Sequence, residues 1–282
     1  MDGGSGMAGP LALDRQLVGR LGAGGGGRLA AVLSDLLPAL YGVIAKHRVS
    51  REEVRATIAF LSEVETTCSE NRQEWVLLAD ALGLSMAVEA VAAQRPKGAT
   101  PNTILGPFYR ADPPEKKNGA SISIDGVGAP LVLAVQIDDL DGVPVAGAQV
   151  DVWQANSLGR FENQDPDGQP DMNLRGRFTS DVDGKVQIRT IRPAPYALPD
   201  SGPVADLLRH LGLGLTRPAH IQFSVRAAGF KTLTTHIFDR ADPAIDADPL
   251  FAAQPDLMAD FNAATARITF KLARAHPGQE DL

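Results

Sequence analysis

The sequence contains few of the residues that carry metal, redox and nucleophilic chemistry. Its 282 residues include one cysteine, Cys68, so no disulfide bond can form within the chain. Cys68 lies in a stretch of helical character, where a structural role is expected for a lone thiol. Only three tyrosines and five histidines occur, so any phenolate or imidazole chemistry draws on a short list. This cysteine usage favours a cytoplasmic location.

Other features are also missing. The formal net charge is −7 and no block of Lys and Arg is present, which argues against a nucleic-acid partner. No apolar run approaches the roughly 18 residues of a membrane span, so no membrane partner is expected. The start, MDGGSGMAGP, lacks the basic and apolar regions of a signal peptide. Residues 1–10 are therefore predicted to be a flexible tail.

Apolar residues recur at helical spacing over residues 11–98. The segment RLAAVLSDLLPALYGVIAKH shows this pattern, and Ser50 with Glu53 forms a capping-box signature at the start of the next helix. Helices with apolar faces need a surface to pack on, either within the chain or on a second copy. The sequence predicts a helical region that serves as a linker or dimerisation element.

Short β-rich runs separated by turn residues replace the helical pattern over residues 99–282. Asp141-Gly142 and Asp183-Gly184 are typical of hairpin turns, and AHIQFSVRAAGFKTLTTHIF predicts a third strand pair. A last strand is expected near the C-terminus. The predicted fold class is α+β, with a helical N-terminal segment followed by an antiparallel β-sandwich.

One strand-like stretch, RPAHIQF, places His220 and Gln222 two residues apart and hence on the same face of a strand. Two histidines at this spacing would form a metal-binding pair. One histidine and one glutamine do not.

The β-rich half resembles the intradiol ring-cleavage dioxygenases, the catechol and hydroxyquinol 1,2-dioxygenase group. The resemblance runs from LGPFYR to about residue 262, through VAGAQVDVWQANSLGRF, QPDMNLRGRFTSDVDGKVQIRTIRP, RPAHIQF and LTTHIF. The NLRGRFTSDVDG and DSGPV segments look closest to the hydroxyquinol branch. The helical half is also similar to that family, which implies a homodimer formed through the N-terminal helices.

The resemblance implies a ferric ion held by two tyrosines and two histidines, since a hard trivalent ion favours anionic oxygen ligands. Residue by residue, the first tyrosine position, at the end of W-x-A-N-x-x-G-x-Y, is Phe161, and the second is Tyr196. The first histidine position is His220 and the second is Gln222. Two of the four implied ligands are therefore replaced, and no bound metal is expected.

A reworked metal site remains an alternative, with Fe(III) or another metal held by Tyr196, His220 and His236. His236 stands where many members of the family have a pocket glutamine. Glu162 and Asp165 follow Phe161 and could supply anionic groups, although a solvated loop is the expected setting for both.

Without a metal, the resemblance implies a pocket shaped for an electron-rich aromatic ring. The expected catalytic groups are Tyr196, as a weak acid, His220, which would exchange a proton near neutral pH, Arg217 and His236. Alternatively, Tyr196 and His220 could simply hydrogen-bond each other, and Arg217 could pair with an acidic residue. The residues expected to contact the substrate are Ile104, Pro107, Tyr109, Phe161 and Gln222.

Three hypotheses follow. The leading one is an enzyme that acts on a polyhydroxylated aromatic, or on its quinone-type product, by metal-independent acid–base chemistry such as isomerisation, cyclisation or hydrolysis. The second is a ring-cleaving dioxygenase with a reworked metal centre. The third is a catalytically silent binding partner. A small aromatic substrate is expected under the first two, and ligand binding or complex formation without turnover under the third.

Overall fold

The computed structural model describes residues 16–17, 19–20, 27–69, 72–93, 95–262 and 265–275. The predicted tail at 1–10 lies outside these residues. Within the predicted helical region, the helices are α1 (Arg28–His47), α2 (Arg51–Thr67), α3 (Glu74–Ala81) and α4 (Leu84–Ala93). The capping box is confirmed, because the Ser50 amide donates to Glu53 Oε2 at 2.7 Å and the Glu53 amide donates to Ser50 Oγ at 3.1 Å.

Helix α1 is more apolar than expected from the sequence, where no segment long enough to span a membrane was predicted. By length and composition it is apolar enough to cross one, and it alone among the unbroken helices of the described residues meets that test. The sequence criterion of an uninterrupted apolar run therefore overlooked this helix, which contains polar residues among its apolar ones. The helix also carries Asp35 near its middle, and a carboxylate at that depth opposes insertion by about 2.5–3.5 kcal/mol. That no membrane is a partner stays a prediction.

The chain forms two compact units, divided after Thr66. The first contains α1 and α2. The second contains α3, α4 and all the strands, so two helices of the predicted helical region fold with the sheets. The predicted domain boundary at 98/99 stays a prediction.

Among its described residues, the second unit contains ten strands and one further α-helix, α5 (Pro203–His210). The strands are β1 (Pro130–Asp139), β2 (Gln149–Gln154), β3 (Arg175–Thr179), β4 (Lys185–Ile191), β5 (Tyr196–Ala197), β6 (Thr216–Arg217), β7 (His220–Arg226), β8 (Leu233–Asp239), β9 (Met258–Ala259) and β10 (Thr265–Leu272). They form sheets of order β10-β1-β4 and β3-β2-β7-β8-β9, and β5 pairs with β6.

The α+β class and the predicted C-terminal strand are confirmed, but the sheets are mixed. The β1–β10 and β8–β9 pairs are parallel, and the other pairs are antiparallel. Alternating apolar residues of β1, β4 and β10 pack against those of β2, β7 and β8 in one core. Phe223 and Phe270 join the two sheets, with ring centroids 5.1 Å apart.

The turns form where expected, and the first closes a short hairpin in which Asp138 pairs with Pro144 as an isolated antiparallel bridge. Gly142 and Gly184 both adopt positive φ, of 82° and 73°. However, β1 and β2 lie in different sheets, and so do β3 and β4. Each of these turns carries the chain from one sheet to the other. The third pair, β7 and β8, is antiparallel as predicted.

Candidate active site

Strand β7 separates the core from the candidate site. Ile221, Phe223 and Val225 belong to the hydrophobic core. Because side chains alternate along a strand, His220 and Gln222 point to the other face. Both are nevertheless buried, with 4% and 2% of their surface exposed, because other segments cover this face.

A cavity of about 770 Å³ lies over that face. The four positions to which the motifs assign iron ligands all line it: Phe161, Tyr196, His220 and Gln222. Ile104, Pro107 and Arg217 line it too, as predicted for the pocket. Residues far apart in the sequence thus meet at one place, and the cavity is large enough for a small aromatic molecule.

Three aromatic rings form one wall. Phe108 stacks on Phe161 with ring centroids 4.4 Å apart, and both meet Tyr196 edge-on at 5.5 and 5.8 Å. Gly159 holds the Phe161 loop against the strand that carries Tyr196. A Cβ atom at Gly159 would lie 2.1 Å from the carbonyl oxygen of Pro195, so no larger residue fits.

Tyr196 presents a neutral phenol to the cavity. Strand β5 pairs it with Arg217 of β6. Burial raises the pKa of the Tyr196 hydroxyl, while a hydrogen bond with Gln164 and the charge of Arg217 act in the opposite direction. The hydroxyl therefore keeps its proton at neutral pH and serves as a hydrogen-bond donor.

His220 is neutral as well, contrary to the expectation that it exchanges a proton near neutral pH. Burial, and then the charge of Arg217, lower its pKa to about 3. Its Nδ1 lies 2.7 Å from the carbonyl oxygen of Pro218, which can only accept, so Nδ1 carries the hydrogen. Nε2 is left as an acceptor.

Arg217 forms a buried ion pair. Its Nε and Nη2 donate to the two carboxylate oxygens of Asp248 at 3.0 and 3.2 Å. The guanidinium also lies over the Phe238 ring, 5.9 Å from its centroid. Of the two roles weighed from the sequence, pairing with an acidic residue is the one observed.

His236 stands behind Gln222 and is not among the residues that line the cavity. Its Nε2 lies 2.7 Å from Gln222 Nε2, and its Nδ1 is hydrogen-bonded to Thr103 Oγ1. Both ring nitrogens are therefore engaged. Burial lowers the pKa of His236 well below its usual value, so the imidazole is neutral.

Tyr109 also lies apart from the cavity-lining residues, although it was expected to contact the substrate. Its hydroxyl donates to Asp151 Oδ2 at 3.0 Å, and its ring meets Trp153 edge-on with centroids 5.0 Å apart. Asp151 is held in addition by Arg177 and Arg226. These contacts fix Tyr109 in a structural cluster.

Glu162 differs from the solvated loop residue that was expected. It is buried and accepts a hydrogen bond from Arg175 Nε at 2.6 Å. Asp165 lies nearer the surface, 3.9 Å from Arg160. Neither lines the cavity.

Several cavity residues were missed from the sequence. Phe108 is hidden in the LGPFYR motif, and Gln164 lies beyond the motif that ends at Phe161. Asp80 comes from α3, where helical periodicity gave no sign of a site. Asp80 is only 6% exposed, and burial raises the pKa of its carboxyl against the opposing effects of a Ser85 hydrogen bond and the Arg217 charge. A buried carboxyl that lines a cavity is a candidate for proton transfer.

The donor atoms present do not fit the ferric site that the motifs imply. Tyr196 and His220 keep donors, Phe161 has none, and Gln222 offers a neutral amide, a weak partner for a trivalent ion. The candidate replacement, His236, has no free ring nitrogen. Within the described ranges, no group of three or more His, Cys, Asp or Glu side chains is placed to hold a metal ion. The side chains thus supply half of the expected ligand set.

Comparison with known proteins defines the class. A family model described as "Dioxygenase" matches residues 104–275, and one described as "Catechol dioxygenase N terminus" matches residues 27–100. The chain is 45% identical to a hydroxyquinol 1,2-dioxygenase of Rhizobium sp. over 83% of this chain and 79% of that one. It is 34% identical to a 6-chlorohydroxyquinol 1,2-dioxygenase of Cupriavidus pinatubonensis, over 88% and 90% of the two chains.

A solved structure shows the same architecture. Hydroxyquinol 1,2-dioxygenase from Pseudomonas putida superposes with a TM-score of 0.89 at 31% identity, covering 94% of this chain and 99% of that one. The protein therefore has the fold of the intradiol dioxygenases. More specifically, the chain belongs to the intradiol ring-cleavage dioxygenase family, as its motifs indicated.

Proposed function

We propose that the protein binds a polyhydroxylated aromatic ring of the catechol or hydroxyquinol class and acts on it, or on its quinone-type product, by metal-independent proton transfer. The names of its relatives support the substrate class. The observation that supports the reaction type is the replacement of two expected iron ligands by Phe161 and Gln222, in a cavity that Tyr196 and His220 still line.

The cavity suits such a ring. Phe108 and Phe161 offer apolar ring faces and edges, which favour stacked or edge-on aromatic contacts. Tyr196 offers a hydroxyl donor, and His220 Nε2 offers an acceptor. A ring that carries several hydroxyl groups, each both donor and acceptor, matches this combination.

Asp80 is the group best suited to move a proton, because burial raises its pKa and neutral His220 is a weak base. The other carboxyl in the cavity, Glu74, is tied to Arg72 at 2.8 Å and to the Val204 amide at 3.2 Å. Isomerisation of a hydroxylated quinone or enol needs no oxidant. One O–H or C–H bond breaks, another forms, and the carboxyl carries the proton between the two positions while Tyr196 donates to the ring oxygen.

A second candidate is ring cleavage with a reworked metal centre held by Tyr196 and His220, with His236 turned from its present hydrogen bonds. The 45% identity to a hydroxyquinol 1,2-dioxygenase favours it. A silent binding partner, the third possibility, would bind the aromatic ligand without converting it.

Metal content and oxygen uptake separate the candidates. We expect freshly purified protein to hold much less than one iron per chain, to show no tyrosinate charge-transfer band, and to convert hydroxyquinol or its quinone without consuming dioxygen. Asp80→Asn should remove that conversion. Iron near one per chain, with one dioxygen consumed per ring, would replace this proposal with ring cleavage. Binding of the aromatic ligand without conversion would favour the third candidate, a catalytically silent binding partner.

A gain-of-function variant tests the ligand assignment. Phe161→Tyr combined with Gln222→His and His236→Gln restores the donor set implied by the motifs. We expect the triple variant, and not Phe161→Tyr alone, to take up iron with a visible charge-transfer band. Failure of the correctly folded triple variant to bind iron would contradict the assignment of these positions.

A further inference from the structure

Gln222 and His236 form a directly opposed cross-strand pair. The antiparallel register of β7 and β8 sets Gln222 opposite His236, so their side chains lie on the same face of the sheet. The motifs led us to expect a histidine at 222 and commonly a glutamine at 236. This chain carries both residue types, each on the other strand.

The hydrogen bonds determine which atoms of Gln222 and His236 donate and which accept. The Gln222 amide nitrogen can only donate, so His236 Nε2, at 2.7 Å, must accept. The neutral ring then carries its hydrogen on Nδ1 and donates it to Thr103 Oγ1. Thr103 is held in turn, because its amide donates to the carbonyl oxygen of Thr234 at 2.8 Å. His236 thus turns the nitrogen of the Gln222 amide away from a ligand.

The other end of the amide lacks a partner. Gln222 lines the cavity, and its Oε1 is buried without a hydrogen-bond partner among the described residues. Buried polar atoms in native proteins are nearly always satisfied, so an orphaned acceptor on a cavity wall points to a donor that the ligand brings. His220 Nε2, on the same face of β7, is a second neutral acceptor.

We propose that Gln222 is a specificity-determining residue whose Oε1 accepts a hydrogen bond from a ring hydroxyl of the ligand, and that His236 is the positioning residue that holds the amide in this orientation. This inference rests on the proposed function for the class of ligand. Two neutral acceptors have no hydrogen to donate to an ether oxygen, so the subsite favours a ring with free hydroxyls at this position over its methyl ether.

Equilibrium binding under anaerobic conditions tests the role of Gln222. Isothermal titration of the wild-type protein with catechol and with its dimethyl ether should show tighter binding of catechol. Gln222→Met keeps the length of the side chain and removes the acceptor. It should weaken catechol binding at least about tenfold and change dimethyl-ether binding less than about twofold.

Variants of His236 test positioning. His236→Leu should weaken catechol binding by roughly three- to tenfold, and adding it to Gln222→Met should cause little further loss, because the two residues act as one unit. His236→Gln should retain binding, because its amide oxygen can accept from Gln222. Thermal unfolding of each variant confirms that it is folded.

If Gln222→Met weakened the binding of catechol and of the dimethyl ether equally, the inference would be overturned, because an equal loss reflects altered packing and not a lost hydrogen bond. Catechol binding that Gln222→Met leaves unchanged would also overturn it, and in both cases the proposed ligand class would stand. A wild-type protein that binds neither ligand would instead overturn the ligand class, and this inference with it.

Discussion

Three polar side chains at the cavity each depend on a partner that fixes their charge or orientation. Pro218 sets the tautomer of His220, Asp248 neutralises Arg217, and His236 orients Gln222. These partners come from loops or from a neighbouring strand. Of the four expected catalytic residues, Tyr196 and His220 face the cavity as neutral groups, Arg217 is half of an ion pair, and His236 stands behind Gln222.

The Arg217–Asp248 pair gives a prediction at this scale. Arg217→Met leaves the Asp248 carboxylate buried without its cation, so we expect the free energy of unfolding to fall by about 3–5 kcal/mol. Arg209→Met, which removes an exposed pair with Asp206, should cost less than about 1 kcal/mol. Denaturant unfolding measures both. A small stability loss for Arg217→Met together with lost activity would return Arg217 to a chemical role.

Among the secondary-structure elements, the pairing of β7 with β8 and the loop that leads from Gly159 to Phe161 position the site. The strand pair places 220, 222 and 236 on one face. The loop places Phe161 beside Tyr196. It can do so because Gly159, which has no side chain, lets the backbone approach Pro195 closely. Strand alternation predicts the first arrangement. The second depends on a close approach between segments that periodicity does not show.

The steric constraint at Gly159 can be tested by comparison with Gly142, which has a similar backbone conformation but no neighbouring atoms where a Cβ would lie. Gly159 and Gly142 both have positive φ, of 73° and 82°, yet an added Cβ meets no atom within 4 Å at Gly142. Gly142→Ala should therefore cost about 1 kcal/mol, from backbone strain alone. Gly159→Ala should cost at least about 2 kcal/mol more, measured by denaturant unfolding. Equal losses of unfolding free energy in the two variants would show that the close approach of Gly159 to Pro195 imposes no steric constraint.

For the molecule as a whole, the main feature is the apolar surface of the first two helices. Large apolar side chains of α1 and α2 are exposed, among them Leu36 at 55% and Ile58 at 60%. Exposed apolar patches commonly mark contact surfaces. The homodimer implied by the family resemblance would use these helices. It stays a prediction, as does a cytoplasmic location.

Analytical ultracentrifugation tests the homodimer. We expect the wild-type protein to sediment as a dimer. Leu36→Glu or Ile58→Glu places a charge on the apolar surface and should shift the species to monomer, or weaken association at least about tenfold. Ala56→Glu, which adds the same charge at an exposed position on the opposite side of α2 from Ile58, is the control. Wild-type protein that sediments as a monomer at micromolar concentration would contradict the prediction.

The sequence by itself determined the α+β class, the capping box, the strand faces, the family and the identity of the residues at the four ligand positions. All of these depend on local chemistry or on contiguous motifs. It did not determine which strands are sheet partners, because a turn residue specifies a reversal and not the sheet to which the next strand belongs. Two such reversals, at Gly142 and Gly184, lead into the other sheet.

Tertiary structure alone decided the electrostatics of the site. Neutral His220, paired Arg217, the raised pKa of Asp80 and the oriented Gln222 amide all depend on burial and on partners far away in the chain. Asp80 comes from a helix well before the first site motif, and Asp248 from a loop well beyond β8. The free energy of a buried charge depends on its three-dimensional surroundings, and periodicity or motif spacing in one dimension carries no record of them.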